Sequence, residues 1–239
     1  MSRATLLIAT RNAHKAREIR QVLAGDFQFL TLLDFPAAPE VVEDGATFAA
    51  NASKKAAALA AWLVANGPAT PHPPSDPSNL NLNPDLNLNL STLAPFHVLA
   101  DDSGLEVDAL GGAPGVHSAR FAALDTGVAG NSPDAANNAK LLRLLARVPL
   151  PRRAARFRCV IALKKLPDPC ILFEGVCPGH ISLQPAGAGG FGYDPLFVPD
   201  GFDKSFAELG DTAKNTLSHR ALALQKLRQY LASPPAAAP

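Results

Sequence analysis

Short apolar runs along this chain give way to longer stretches in which apolar residues return every three or four positions, and each switch marks an element. Thr5–Thr10, TLLIAT, is a run of the first kind and reads as a β-strand. Ala16, Ile19 and Leu23 then share one face of a helix predicted over Ala13–Ala24, with Asn12 at its N-cap and Gly25 at its stop. An Ala-rich helix is predicted over Thr47–Ala65. Phe96–Ala100 reads as a short buried strand that ends in Asp101-Asp102-Ser103-Gly104, a composition that favours an Asx-type turn. Beyond it Leu105, Val107 and Ala109 alternate with Glu106 and Asp108, the pattern of a strand with one wet face. Asp134–Arg147 is helical, with Leu141, Leu144 and Leu145 on one side. Arg156–Leu163 is a strand, with Ile171–Cys177 and residues near Leu183 as its partners, and Thr212–Leu231 is the final helix. The class is mixed α and β.

Two stretches break these periods. Residues 67–95 are rich in Pro, Asn and Ser, with a Leu/Asn alternation interrupted by Pro84, and read as a mostly disordered insertion. The ending SPPAAAP, residues 233–239, reads as a disordered tail. The remainder of residues 1–232 is one domain of ordinary core size, since 47% of the 239 residues are hydrophobic and 18% charged. A formal net charge of +1 disfavours a duplex nucleic acid partner. No apolar run is long enough to span a bilayer, and the opening MSRATLLIATRN is too soon polar for a signal peptide. Cys159, Cys170 and Cys177 form no Cys-x-x-Cys pair, so reduced thiols of a cytoplasmic protein are expected rather than zinc or disulfides.

Four stretches carry candidate chemistry. In LLIATRNAHKAREI a strand runs into a helix whose opening holds Thr10, Asn12 and Lys15, and free N–H groups at a helix start attract phosphate. Asp101 and Asp102 point to opposite sides if the chain is extended, and one of them, with Glu43 of VVEDGATF, suits a hard cation such as Mg²⁺. AGAGGFGYDPLF, residues 186–197, combines a glycine-rich backbone with the stacking faces of Phe191 and Tyr193. In AKNTLSHRALAL, Lys214, His219 and Arg220 converge near one end of a helix. Each stretch alone is equally a capped helix, a polar turn, a plain loop or a set of solvated cations.

Together and in this order, the stretches resemble the inosine triphosphate pyrophosphatase family, the Ham1-type hydrolases of non-canonical purine nucleotides. The matching text is ATRNAHKAREI, DGATFAANASKKA, LADDSGLEVDALGGAPGVHSARFA, ARFRCVIAL, GGFGYDPLF and KNTLSHRALAL. The resemblance implies an elongated α/β fold, a long mixed sheet with flanking helices forming two lobes around a cleft, in a homodimer. It implies Mg²⁺-dependent hydrolysis of ITP, dITP and XTP to the monophosphate and pyrophosphate, with Mn²⁺ as a substitute metal. By position, Asp102 would be the catalytic carboxylate and a metal ligand, with Glu43 as the companion acid. Thr10, Asn12 and Lys15 would hold the triphosphate and Ser103 would contact substrate. Phe191, Gly192, Tyr193 and Asp194 would wall the base and sugar, and Lys214, His219 and Arg220 would read the base edge. The chain departs from the pattern at Ala50, where the family often has Glu, at His117, where Tyr is usual, and at Ala213, where Glu is common. A Maf-like pyrophosphatase of other nucleotides and a non-catalytic nucleotide-binding module are the alternatives.

Overall fold

The computed structural model describes residues 4–25, 27–66 and 97–232. The insertion 67–95 and the tail 233–239 lie outside the described residues. Among the described residues, six strands form one mixed sheet: β1 (Ala4–Ile8), β2 (Phe27–Thr31), β3 (His97–Val107), β4 (Ala154–Lys165), β5 (Ile171–Ile181) and β6 (Phe197–Pro199). Their order across the sheet is β2-β1-β3-β4-β5-β6. β1 runs parallel to both β2 and β3, and every later pairing is antiparallel. Five helices flank it: α1 (Ala13–Val22), α2 (Phe48–Asn66), α3 (Asp134–Leu144), α4 (Phe206–Leu217) and α5 (His219–Ala232).

Side-chain alternation along the strands assigns each helix to a face. Leu7, Val98, Ala100, Val160 and Ala162 pack under the Ala-rich face of α2, through Ala52, Ala56, Leu59 and Leu63. Their neighbours Leu6, Ile8, Leu99, Cys159 and Ile161 point the other way, onto Ile19 of α1, Leu23 at its C-cap, and Ala223, Leu224 and Leu227 of α5. Further along β3 and β4, Leu105, Val107, Ala155 and Phe157 join Leu141 of α3 and Phe206 of α4 in a separate cluster. On the opposite face of that second half, Arg156 bridges Glu106 and Asp108 at 2.8 and 2.7 Å, and Arg158 bridges Glu106 and Glu174. One half of the sheet therefore carries helices on both faces and the other on one face only.

Three sequence expectations are corrected. The strand expected to stop at Ala100 continues through the Asp pair to Val107, in unbroken register with β4 from His97↔Lys165 to Val107↔Ala155. Backbone pairing with β4 satisfies the peptide groups that a turn would have left free. Gly104 sits inside this strand because a Cβ there would collide with Ser118 Oγ and the Gly115 carbonyl, where the segment 115–120 crosses it. The single final helix is two. Ser218 adopts an extended conformation (φ −68°, ψ 157°) between α4 and α5, and its hydroxyl accepts from Ala221 N–H at 3.2 Å as the cap of the second helix. Leu183 belongs to no strand; β5 ends at Ile181. Phe96 lies outside the described residues, while β2 and β6 were not anticipated from sequence.

Candidate functional site

The extended course of β3 sends its two aspartates to opposite faces. Asp101 points to the α1–α5 side, with 2% of its surface exposed, and Asp102 to the α2 side, with 4% exposed. The peptide chain thus supplies two separate carboxylate sites, one residue apart.

On the first side, Asp101 pairs with Lys15 and with Arg220, whose Nε lies 3.0 Å from Oδ2. The Cys159 thiol donates to the same oxygen at 3.0 Å, and the Ser103 hydroxyl donates to Oδ1 at 3.1 Å. Arg220 also pairs with Glu18 and donates to Ser103 Oγ at 2.8 Å. Glu18 in turn lies 2.8 Å from Lys214 Nζ, which is 2.6 Å from Asp194 Oδ2. Lys15, Asp101, Arg220, Glu18, Lys214 and Asp194 form a chain of alternating charge that ties α1, β3, α5, α4 and the glycine-rich loop together. Burial works against the Asp101 charge, but Arg220 and Lys15 outweigh it and hold its pKa well below the ordinary range. Burial likewise opposes the charge on Lys15, and Asp101 raises its pKa despite it. At the far end the outcome reverses, and burial raises the Asp194 pKa although Lys214 favours the anion.

On the second side, Asp102 accepts from Asn51 Nδ2 at 3.0 Å. Lys55 Nζ is 2.8 Å from Glu43 and 3.8 Å from Asp102 Oδ1, and donates to the Asp101 backbone carbonyl at 2.6 Å. Asn51 and Lys55 are one turn apart on α2, so one helix face presents both. Asn51 also accepts from Gly45 N–H at 2.8 Å, and Arg120 donates to the Glu43 carbonyl at 2.9 Å, so the loop carrying Glu43 is held from two sides. Burial raises the Asp102 pKa, with Lys55 opposing. Glu43 and Asp102 thus converge on one ammonium. A small hard cation takes one or two carboxylates and leaves its other positions to water and phosphate oxygens, so this donor pair fits Mg²⁺.

Between these elements is a cavity of about 160 Å³. Asn12, Lys15 and Ser103 line one part of it, and Phe191, Gly192, Tyr193 and Asp194 another. Lys214, His219 and Arg220 form its inner wall. Asn12 accepts from the N–H groups of His14 and Lys15 at 2.9 and 3.2 Å, which places Lys15 in the first turn of α1. Thr10 does not line the cavity; its hydroxyl accepts from Asn12 N–H at 3.1 Å and shapes the entry to the helix. Glu43 and Asp102 also lie outside the lining. Tyr193 donates from its hydroxyl to the Ser118 carbonyl at 2.9 Å, which fixes the loop against the segment over β3. His219 is stacked on Phe157 at 4.7 Å, and burial with Arg220 and Lys214 nearby pushes its pKa well down, so it is neutral. Its Nδ1 has no hydrogen-bond partner among the described residues. The break at Ser218 brings Lys214, from the last turn of α4, beside His219 and Arg220 from the first turn of α5. Gly175 permits this placement, because a Cβ there would strike the His219 carbonyl.

Sequence reasoning missed Glu18, Asn51 and Lys55 and assigned Asp101 no role of its own. Spacing was the available signal: Glu18 is three residues after Lys15 on one helix, and Asn51 and Lys55 are four apart. Ala50, the departure noted in the sequence, is exposed, and its neighbour Asn51 makes the contact to Asp102.

The fold and the site define an α/β protein of the Ham1 type. The Ham1 family model matches residues 6–230, and the chain belongs to that family. The dITP/XTP pyrophosphatase of Geobacillus kaustophilus (strain HTA426) is 44% identical over 223 residues, spanning 93% of this chain and 91% of that protein. The dITP/XTP pyrophosphatase of Geobacter sulfurreducens is 44% identical over 227 residues, spanning 95% and 96%. The structure of a HAM1 protein from Coxiella burnetii superposes with a TM-score of 0.70 at 32% identity, covering 95% of this chain and 98% of that one.

Proposed function

We propose that this protein hydrolyses the non-canonical purine nucleoside triphosphates ITP, dITP and XTP to the monophosphate and pyrophosphate. The observation that carries the reading is the division of the Asp pair. Asp101 anchors the cations that line the cavity, while Asp102 and Glu43 converge on a separate cation position beside it. Family membership and the names of the relatives support the same substrate class.

The triphosphate enters over Asn12 and Lys15, where the N-terminal end of α1 and a mobile ammonium neutralise its charge. Lys15 exchanges its contact with Asp101 for one with phosphate. The base stacks on Phe191, and Lys214, His219 and Arg220 read its edge. An oxygen at purine position 6 accepts from such donors, whereas the adenine amino group would leave them unpaired, and sites built this way discriminate strongly. Asp102 orients and deprotonates the attacking water. Glu43 and Asp102 would hold Mg²⁺, which when bound supplies positive charge against the leaving pyrophosphate. The protein acts as a homodimer, as the family resemblance implies, and in the cytoplasm, the setting its unpaired cysteines suggest; among the described residues no helix is long and apolar enough to cross a membrane.

The test is pyrophosphate release from ITP, XTP, dITP, GTP, ATP and dTTP, each with and without Mg²⁺. Metal-dependent release from the first three with the others slow is expected. Preference for dTTP would instead favour Maf-like chemistry, and silence on every nucleotide from folded protein a binding module.

A further inference from the structure

The Phe191 ring stands on a loop whose tip is held by side chains rather than by packing. Gly192 has φ +63°, and a Cβ built on it would meet no atom within 4 Å. Both polar groups of this glycine are nevertheless taken. Its N–H donates to Asp134 Oδ2 at 2.6 Å, and its carbonyl accepts from Asn138 Nδ2 at 2.9 Å. Asp134 and Asn138 are four residues apart and so lie on one face of α3. The helix therefore grips both peptide groups that flank the Gly192 Cα, with an acceptor and a donor set one turn apart. α3 is itself anchored, with Leu141 in the core and Asn137 bonded to Ala122 N–H at 2.8 Å.

The residue before this grip is Phe191. Its own N–H donates to Asp194 Oδ2 at 2.8 Å, and its ring stacks on His14 at 5.2 Å with an interplanar angle of 21°. Lys214 Nζ is 4.3 Å from the ring centroid. Two of the three supports, Asp194 and Lys214, belong to the buried charge chain. The α3 pair is outside that chain and holds the loop tip, Asp134 from the lining of the cavity and Asn138 from outside it.

We propose that Asp134 and Asn138 are positioning residues that set the aromatic platform for the base, and so determine affinity for the purine without touching the phosphates. The proposal rests on the nucleotide reading above. Removing either grip lets the tip move and takes Phe191 out of register with the inner wall of the cavity. Stacking on an aromatic ring is a substantial part of base affinity, so KM for ITP should rise about tenfold while kcat changes less than about threefold.

Four variants and two probes decide it. Asp134→Ala and Asn138→Ala should each raise KM for ITP and leave the inhibition constant of inorganic tripolyphosphate, which has no base, unchanged. Asp134→Asn retains an acceptor oxygen for Gly192 N–H and should keep a KM near wild type. Asn138→Asp sets a carboxylate against the Gly192 carbonyl and should behave like the alanine variant. The proposal is overturned if KM for ITP stays within twofold in both alanine variants. A parallel rise in the tripolyphosphate constant also overturns it, because that is general damage. Amide hydrogen exchange at Gly192 gives a readout without turnover: protection in the wild type should be lost in Asp134→Ala, and unchanged exchange would refute the grip. If the wild-type protein left ITP intact, the nucleotide reading would fall while the exchange result still decided whether α3 holds the loop.

Discussion

Replacing Asp101 by Asn removes one negative charge from the middle of the buried chain of alternating charge. Arg220 is 1% exposed and cannot recover its lost partner from water, whereas Lys15 lines the cavity and keeps some access to it. The amide is also a poor geometric substitute. Oδ2 of Asp101 accepts from Arg220 Nε and from Cys159, while Oδ1 accepts from Lys15 and from the Ser103 hydroxyl. Whichever way the amide is turned, its NH₂ faces two donors. Breaking a buried pair by removing one partner costs about 3–5 kcal/mol. For a domain of this size that lowers Tm by about 6–20 °C. Thermal melts and urea titrations of wild type and Asp101→Asn at pH 7 measure it. The pH dependence has a definite sign. The Asp101 pKa is held well below its ordinary value, so its stabilisation is complete above the unfolded-state pKa and declines as pH falls toward the folded-state value. The gap between wild type and variant should therefore narrow below about pH 4. A loss under about 1 kcal/mol at pH 7, below what a broken buried pair costs, would refute the reasoning. A gap that stayed constant on acidification would do the same.

Asp102→Asn should slow ITP turnover by about 10²–10⁴-fold, the range of a lost general base. It should not lower Tm at pH 7, because burial raises the pKa of this carboxyl and its ionised form opposes folding at neutral pH. Asn51→Ala orphans both Gly45 N–H and one oxygen of Asp102; a loss of about 1–3 kcal/mol in urea unfolding is expected, together with reduced turnover. Arg153, 3% exposed, donates to the carbonyls of Val148, Ser182 and Leu145 and has no acid opposite it among the ion pairs of the described residues. The Leu145 carbonyl keeps the Val148 N–H at 2.9 Å, so Arg153→Met strands two acceptors, and urea unfolding should show a loss of at least about 2 kcal/mol while KM for ITP in the folded protein is unchanged.

Most elements of the fold were legible in the sequence because their apolar periods are local. α1, with its Asn12 cap, follows directly from such a pattern. β3 was cut short because Asp-Asp-Ser-Gly has strong turn chemistry, and the competing forces are non-local. Register with β4 supplies backbone partners, while Lys15, Arg220, Asn51 and Lys55 neutralise the carboxylates from elsewhere in the chain. Ser218 was read as helix interior because the apolar spacing runs on across it, although its hydroxyl caps the helix that follows and β5 approaches that helix closely at Gly175. The candidate site residues were legible as separate stretches. Their connection was not, because Glu18 looks in sequence like one more charged residue on the wet side of α1, whereas it links Arg220 to Lys214.

The bond that is cut tests the central claim most directly. Incubation of ITP with the protein and Mg²⁺, followed by ³¹P NMR, should show inosine monophosphate and pyrophosphate growing in equal amounts, with no inosine diphosphate and no early inorganic phosphate. Inosine diphosphate and inorganic phosphate as the first products would place the attack at the terminal phosphorus and contradict the assignment of the site.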